Sequence, residues 1–138
     1  MEKDLLTGVV PPVEEEYRVL KGPGRRAVVG HSMGGMHAST IGLNHPELFA
    51  YVGAMSGNAR EAALAKALAD PDKTNKAFEL TRLGCGTDDD AIAGGRALAR
   101  GFKGKGARRE WVESEGYRHD CQIWRIYLRD LLPRLFQD

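Results

Sequence analysis

A serine lies in a turn of five residues that could make it a nucleophile. The turn is Gly30-His31-Ser32-Met33-Gly34, which follows the apolar run Ala27-Val28-Val29 and precedes a run of small residues. An apolar strand that stops at a glycine, passes through one serine and restarts as a helix is the setting in which the pattern Gly-x-Ser-x-Gly forms a nucleophile elbow. Ser32 is therefore the first candidate for a nucleophile. The alternative is a serine that only caps a glycine-rich turn.

Such a turn would supply more than the hydroxyl group. A serine held in a sparsely populated backbone conformation needs neighbours without side chains, which predicts close packing at Gly30 and Gly34. The first N–H groups of the following helix, that of Met33 foremost, would point to the place where an acyl oxygen gains negative charge. One turn therefore offers a nucleophile and one donor of an oxyanion hole.

Two later loops carry side chains that could activate this serine. Asp88, Asp89 and Asp90 follow one predicted strand, and His119 follows the next. The functional loops of a parallel sheet lie at the carboxyl ends of its strands, so these side chains are expected near Ser32. The chain order serine, aspartate, histidine is the one that the α/β-hydrolase topology produces.

Each candidate also has a structural interpretation. The three aspartates could cap the helix that follows them, and His119 could be a surface residue. His31 points away from the nucleophile if its strand alternates, so we expect it to pack against or shape the substrate pocket. His37, on the elbow helix, and His45, in a proline-containing turn, are expected to be structural.

The elements that would position these residues alternate between strand and helix. Residues 2–20 predict a short helix, a break at Pro11-Pro12 and a lead-in to the first strand. The apolar runs then predict a right-handed parallel α/β sheet whose last, more polar strand lies at an edge. The predicted strands are at about 25–31, 48–57, 78–86 and 108–113, and the predicted helices at about 34–44, 59–69, 91–103 and 121–136.

Composition limits the class of protein. The chain has 138 residues and a net charge of +1, which predicts one domain and gives no reason to expect a nucleic acid or an anionic membrane as partner. No apolar run approaches the roughly 18 residues of a membrane span, and the first residues lack the pattern of a signal peptide, so we expect a cytoplasmic protein. Cys85 and Cys121 lie on separate elements without a metal-ligand pattern, which favours free thiols in a reducing compartment.

Four blocks in the same order and spacing resemble an esterase family of α/β-hydrolases that includes feruloyl esterases, esterase D-type enzymes and mycolyltransferases. The resemblance implies a serine hydrolase with a Ser-His-Asp triad and no metal or organic cofactor. It places the nucleophile on Ser32, the base on His119 and the acid on Asp89, the fourth residue of a Gly-x-x-Asp pattern. The blocks are Gly30-His31-Ser32-Met33-Gly34-Gly35, Asn44-His45-Pro46-Glu47-Leu48-Phe49, Gly86-Thr87-Asp88-Asp89, and His119 with Trp124 and Leu132-Pro133-Arg134-Leu135-Phe136.

The resembling family is considerably longer than this chain, and the part without a counterpart here precedes the elbow strand. The resemblance therefore implies a truncated, minimal α/β-hydrolase fold of about four parallel strands flanked by helices, in a single domain over residues 1–138. The second oxyanion donor, which the absent half supplies, is missing. The free edge of the elbow strand predicts a homodimer or larger assembly, unless residues 1–20 fold back over it.

The leading functional hypothesis is a carboxylesterase for short-chain or aromatic acyl esters. Within enzymes, the alternatives are a feruloyl or acetyl esterase of plant polysaccharide and an acyltransferase. The non-enzyme alternative is a degenerate hydrolase fragment that serves as a binding or assembly module. His31, Tyr117 and Trp124 are candidates for substrate contact, although Trp124 on an amphipathic helix could equally be core packing.

Overall fold

A four-stranded parallel sheet forms the centre of the protein. The computed structural model describes residues 1–137. The strands have the order β1-β2-β3-β4, and they pair so that His31 at the end of the first strand lies beside Met55 of the second. The predicted parallel sheet flanked by helices is thus confirmed. Its strands are β1 (Ala27–His31), β2 (Tyr51–Met55), β3 (Leu80–Gly86) and β4 (Glu110–Ser114).

Helices cover both faces of the sheet, which explains why β2 is buried along its whole length. On one face, residues of α2, α3 and α5 pack in a common core around Val52, Ala54 and Leu83. On the other face α6 contributes Ile123, Tyr127 and Leu131. The helices are α1 (Val10–Glu16), α2 (Met33–Asn44), α3 (Ala65–Ala69), α4 (Pro71–Ala77), α5 (Ile92–Lys105) and α6 (Cys121–Leu131).

The predicted break at Pro11-Pro12 is wrong. The chain is π-helical over Asp4–Val9 and continues directly into α1. Both prolines lie in the first turn of α1, where backbone N–H groups have no acceptor within the α-helix, so their absence costs no helical hydrogen bond. The N–H of Val10 donates to the carbonyl of Leu5, and this π-helical hydrogen bond joins the two segments.

Helix α4 was not predicted from the sequence. Asp70-Pro71 ends α3, but the same two residues also begin α4: the Asp70 side chain accepts a hydrogen bond from the N–H of Lys73, and Pro71 takes the first helical position. The Asp-Pro pair is thus both a stop and a start signal. The region predicted as one helix at 59–69 is split into a 3₁₀ turn (Glu61–Leu64) and α3.

The junction between β1 and α2 is closely packed. Ser32 has φ 54° and ψ −126°, and a Cβ on Gly30 would lie 2.2 Å from the carbonyl oxygen of Gly34. The expectation for Gly34 is wrong, since a Cβ there would meet nothing within 4 Å. The close neighbour is instead Gly57, after β2, where a Cβ would lie 1.9 Å from the carbonyl oxygen of Ser32.

Strand β1 lies at an edge of the sheet and is only half-buried over Ala27 to Gly30. Residues 1–20 run beside it without pairing with it, and the side chain of Glu14 binds Arg26 next to the strand. Between them lies an apolar cleft of about 360 Å³ whose walls include Val9, Leu20 and Val28.

Within residues 1–137, no helix has the length and apolar character needed to cross a membrane.

Both cysteines are free. Cys121 is exposed, whereas Cys85 is buried, and burial raises the pKa of its thiol to about 12.

Replacing Gly57 should show how much the fold depends on the close contact with Ser32. We expect Gly57→Ala to lower the free energy of unfolding by about 3 kcal/mol or more, because a methyl group would meet backbone rather than a side chain that can move. Gly104→Ala is the matched control: nothing lies within 4 Å of that site, so alanine should stabilise α5 by up to about 1 kcal/mol. Urea denaturation measures both, and equal effects of the two changes would contradict the packing described.

The N-terminal segment should loosen as the pH rises. His45 lies between two carboxylates, with Nε2 2.7 Å from Glu2 and Nδ1 2.8 Å from Glu47. The Glu2 hydrogen bond raises the pKa of His45 above its usual value; burial opposes this rise and Glu47 adds to it. A raised folded-state pKa stabilises the fold below about pH 6.5, the pKa of an unfolded histidine, and this contribution disappears as the pH rises through the raised value.

The difference in unfolding free energy between the wild type and His45→Gln should therefore shrink as the pH rises from about 6 to about 8. Because Glu2 and Glu47 are exposed, the change should not exceed about 1 kcal/mol. Urea denaturation at several pH values would test this. Parallel stability curves for the two proteins would show that the ion pairs add nothing.

Candidate active site

Three side chains that are far apart in the sequence form one hydrogen-bonded chain at the carboxyl end of the sheet. Nε2 of His119 lies 2.8 Å from Oγ of Ser32. Nδ1 of the same ring lies 3.0 Å and 3.1 Å from the two carboxylate oxygens of Asp89. With Asp89 ionised, Nδ1 must carry the proton and donate, which leaves Nε2 to accept from the Ser32 hydroxyl group.

The elbow positions Ser32. The N–H of Ser32 still donates to the carbonyl of Met55, 2.8 Å away, and its carbonyl accepts from the N–H of Met36. The residue therefore belongs to the sheet on one side and to α2 on the other. The positive φ turns it between the two elements, as expected for a serine in a nucleophile elbow.

The choice among the three aspartates follows from burial. Asp89 is 2% exposed, whereas Asp88 and Asp90 are exposed. The Asp89 carboxylate also accepts a hydrogen bond from the N–H of Ala91, 2.8 Å away, just before α5 begins. The carboxylate therefore binds both the histidine and the turn before α5. The predicted alternative, an aspartate as helix cap, is not seen, since the N-cap residue of α5 is Ala91 and makes no side-chain cap hydrogen bond.

Asp89 is held in its charged form. Burial alone raises the pKa of this carboxyl, but hydrogen bonds, from the Ala91 N–H and from His119 among others, more than offset burial and bring the pKa below its ordinary value. A carboxylate that stays ionised at neutral pH can orient the imidazole and stabilise its protonated form.

Backbone hydrogen bonds tie the Asp89 loop to the His119 loop. The N–H of Thr87 donates to the carbonyl of Ser114 over 2.9 Å, and the N–H of Asp88 donates to the carbonyl of Tyr117 over 3.0 Å. In the opposite direction, the Thr87 hydroxyl oxygen accepts from the N–H of Gly116 over 2.8 Å. These contacts set the distance between aspartate and histidine, and no local sequence pattern predicted them.

The candidate oxyanion donor lies at the surface. The N–H of Met33 is the first of α2 and so has no acceptor within the helix, and the Met33 side chain is 68% exposed. The His119 side chain is 39% exposed. Ser32, His119 and Asp89 therefore form a site that is open to solvent at the carboxyl end of the sheet. One backbone N–H group of α2 lies beside the nucleophile.

The three candidates for substrate contact differ in their positions. The ring of His31 lies against that of Trp124, with centroids 4.2 Å apart, and Trp124 also contacts His119 at 5.1 Å. Tyr117 is half-buried and packs with the cluster formed by Met55, Ile123 and Tyr127. His31 and Trp124 are therefore brought to the site, whereas Tyr117 contributes packing and a backbone carbonyl.

Sequence reasoning missed Ser56 and Gly57, which follow β2 directly. Ser56 has φ 53° and is 1% exposed, and Gly57 lies against Ser32. A Ser-Gly pair at the carboxyl end of a predicted strand beside the elbow strand was the available signal.

His45 lies outside the site between its two glutamates. Within residues 1–137, no group of three or more histidine, cysteine or acidic residues could hold a metal ion.

Comparison with known proteins agrees with this architecture. A bifunctional endo-1,4-beta-xylanase/feruloyl esterase of Xylanibacter ruminicola is 31% identical over 136 residues, which are 99% of this chain but 18% of that protein. A solved ferulic acid esterase superimposes with a TM-score of 0.85 at 25% identity. The superposition covers 98% of this chain and 59% of the chain of that esterase. An S-formylglutathione hydrolase from Staphylococcus aureus has a TM-score of 0.80 at 16% identity, which shows the fold alone.

The chain spans less than two thirds of the length of these proteins, as the resemblance in the sequence predicted. A family model matches residues 2–125, and the family is described as "Putative esterase". The family assignment made from the sequence is thus confirmed. On this match over most of its length, the chain belongs to the family described as Putative esterase.

Proposed function

We propose that the protein hydrolyses carboxylic esters through Ser32, His119 and Asp89, by way of an acyl-enzyme intermediate. The single observation that supports this most strongly is the continuous hydrogen-bonded chain from Ser32 Oγ through the imidazole to the buried Asp89. The positive φ of Ser32 and the family match support the same proposal.

In the first half of the reaction Ser32 Oγ attacks the ester carbonyl carbon, and its proton passes to Nε2 of His119. The tetrahedral intermediate then breaks its bond to the alcohol oxygen, which takes the proton from Nε2 as it leaves. In the second half a water molecule gives its proton to Nε2 and attacks the acyl carbon, and Ser32 recovers its proton when the acid departs. Asp89 stabilises the imidazolium that forms twice in this cycle.

The described residues supply one candidate oxyanion donor beside Ser32, the N–H of Met33. Efficient serine hydrolases use two, and a site with one such donor fewer loses on the order of 3 kcal/mol of transition-state stabilisation. Activated esters with good leaving groups should therefore be the better substrates. An acceptor alcohol that reaches the acyl-enzyme before water would make the same site an acyltransferase, so adding alcohol during turnover separates the two activities.

An aromatic acyl group is the more specific proposal for the substrate. Two of the similar proteins are named for feruloyl or ferulic acid ester hydrolysis, and in this chain the rings of His31 and Trp124 lie together beside His119. Aromatic surfaces favour offset or edge-on contact with an aromatic ring. Methyl ferulate compared with methyl acetate would test this preference through the ratio of their kcat/KM values.

Labelling with a fluorophosphonate tests the catalytic proposal. Mass spectrometry of wild-type peptides should locate the label on Ser32, because only an activated serine reacts readily. Ser32→Ala and His119→Ala should each remove labelling and lower kcat on an activated ester by about 10⁴-fold or more. Ser114→Ala, which changes a hydroxyl outside the hydrogen-bonded chain, should label as the wild type does. A folded wild-type protein that takes no label would favour the alternative of a binding module.

We also propose that the protein works as a homodimer or larger homo-oligomer. Strand β1 carries the nucleophile at its end yet is an edge strand with half-buried apolar residues, and such an edge favours pairing with another chain. Light scattering over a range of concentrations should give a mass above that of one chain. A monomer at every concentration would contradict this proposal and leave the catalytic one intact.

A further inference from the structure

Trp124 contacts the catalytic candidates from a helix that follows them in the sequence. Its indole ring meets the His119 imidazole edge-on, with centroids 5.1 Å apart and an interplanar angle of 89°. The same ring lies against His31, the residue before the nucleophile, with centroids 4.2 Å apart and an interplanar angle of 32°. One side chain therefore joins the histidine loop to the end of the elbow strand.

The position of the indole ring is determined by α6. Asp120 caps this helix by accepting hydrogen bonds from the N–H groups of Gln122 and Ile123, and the body of Trp124 packs with Met55, Ile123 and Tyr127. The ring is therefore attached to the hydrophobic core, whereas the imidazole it meets is 39% exposed on a loop.

Packing alone does not explain a tryptophan at this position. The indole Nε1–H is buried and has no hydrogen-bond partner within residues 1–137. A buried donor without an acceptor is unfavourable, and phenylalanine would fill much of the same space without that cost. A tryptophan here is better explained by what its ring does to its neighbours than by the stability of the core.

The neighbour that needs support is the imidazole. His119 must reach Ser32 with one nitrogen and Asp89 with the other, and rotation of the ring about its terminal torsion would break both hydrogen bonds. That torsion is broad for histidine, so its own rotamer preference does not hold the plane. An aromatic ring at right angles to the imidazole restricts this rotation.

We propose that Trp124 is a positioning residue that holds the His119 imidazole in the plane from which it reaches Ser32 and Asp89 together, with the His31 ring packed against the indole as a support. This inference rests on the proposed esterase function. It differs from a substrate-binding role for Trp124, because a positioning residue acts on the reactivity of Ser32 even with small substrates that do not touch the indole.

The first test measures reactivity and binding separately. Trp124→Leu should lower the rate constant for fluorophosphonate labelling of Ser32 and kcat on a small activated ester by about tenfold, with KM changed by less than about twofold. Trp124→Phe keeps a smaller aromatic ring, so its loss should be smaller than that of Trp124→Leu but still measurable. Trp111→Phe is the matched control, since Trp111 lies on β4 with its Nε1–H bound to Glu113 and should label as the wild type does.

The second test does not depend on activity. In Trp111→Phe the indole of Trp124 is the remaining tryptophan, and a protonated imidazole in contact with an indole quenches its fluorescence. Emission should be lower in acidic than in alkaline solution, because acid protonates histidine side chains. His119→Gln should remove one part of this quenching and His31→Gln another.

The outcomes separate the two levels of the proposal. A wild-type protein that takes no label would overturn the proposed function itself. A labelled wild type with an equally reactive Trp124→Leu, or with a variant that raises KM and leaves labelling unchanged, would overturn the positioning role alone. Should Trp124→Leu fail to fold, the fluorescence titration decides: emission that neither histidine substitution changes would show that the rings are not in contact and would overturn the inference.

Discussion

The backbone of Ser32 is the constraint on which the rest of the site depends. A residue with a side chain at φ 54° costs on the order of 1–3 kcal/mol and persists only where its surroundings hold it. Here the sheet holds its N–H through Met55, α2 holds its carbonyl through Met36, and Gly57 lies against that carbonyl without room for a Cβ. The segment after β2 is itself attached to α2, because the Ser39 hydroxyl oxygen accepts from the N–H of Ala59.

The opposite half of the site is held by a different kind of contact. Asp89 and His119 lie on loops after β3 and β4, and these loops are joined by hydrogen bonds through Thr87 and Asp88. Behind them α6 is attached to the sheet twice. The Tyr127 hydroxyl group donates to the carbonyl of Cys85 over 2.8 Å, and further along Arg82 of β3 forms ion pairs with Glu110 of β4 and Asp130 of α6.

At the site, the Ser32–His119 hydrogen bond joins these two halves, and the indole ring of Trp124 spans the same gap between His31 and His119. Within the sheet, the halves are joined by the pairing of β2 with β3 and by the hydrogen bond from the N–H of Ser56 to the carbonyl of Gly84. The imidazole itself is 39% exposed on its loop. This arrangement suits a group that must pass a proton between a serine, a leaving alcohol and water, provided that something restricts its rotation.

The sequence by itself determined the order of strands and helices, the elbow and the family. These rest on local patterns: apolar runs, glycines around one serine, and blocks such as Gly86-Thr87-Asp88-Asp89. Boundaries shifted by a few residues, and the errors at Pro11-Pro12 and in the missed α4 came from prolines that begin a helix as readily as they end one. The chain order of serine, aspartate and histidine was also visible, because parallel strands bring their carboxyl ends to one edge.

Only the tertiary structure decided which residues within each block meet. Asp89 rather than Asp88 faces the imidazole because it is the buried one of the three, and Gly57 rather than Gly34 lies against the elbow because β2 passes beside β1. The contact of Trp124 with two histidines likewise depends on how α6 crosses the sheet. Such contacts join residues distant in the chain, and local sequence patterns carry no information about distances between separate elements.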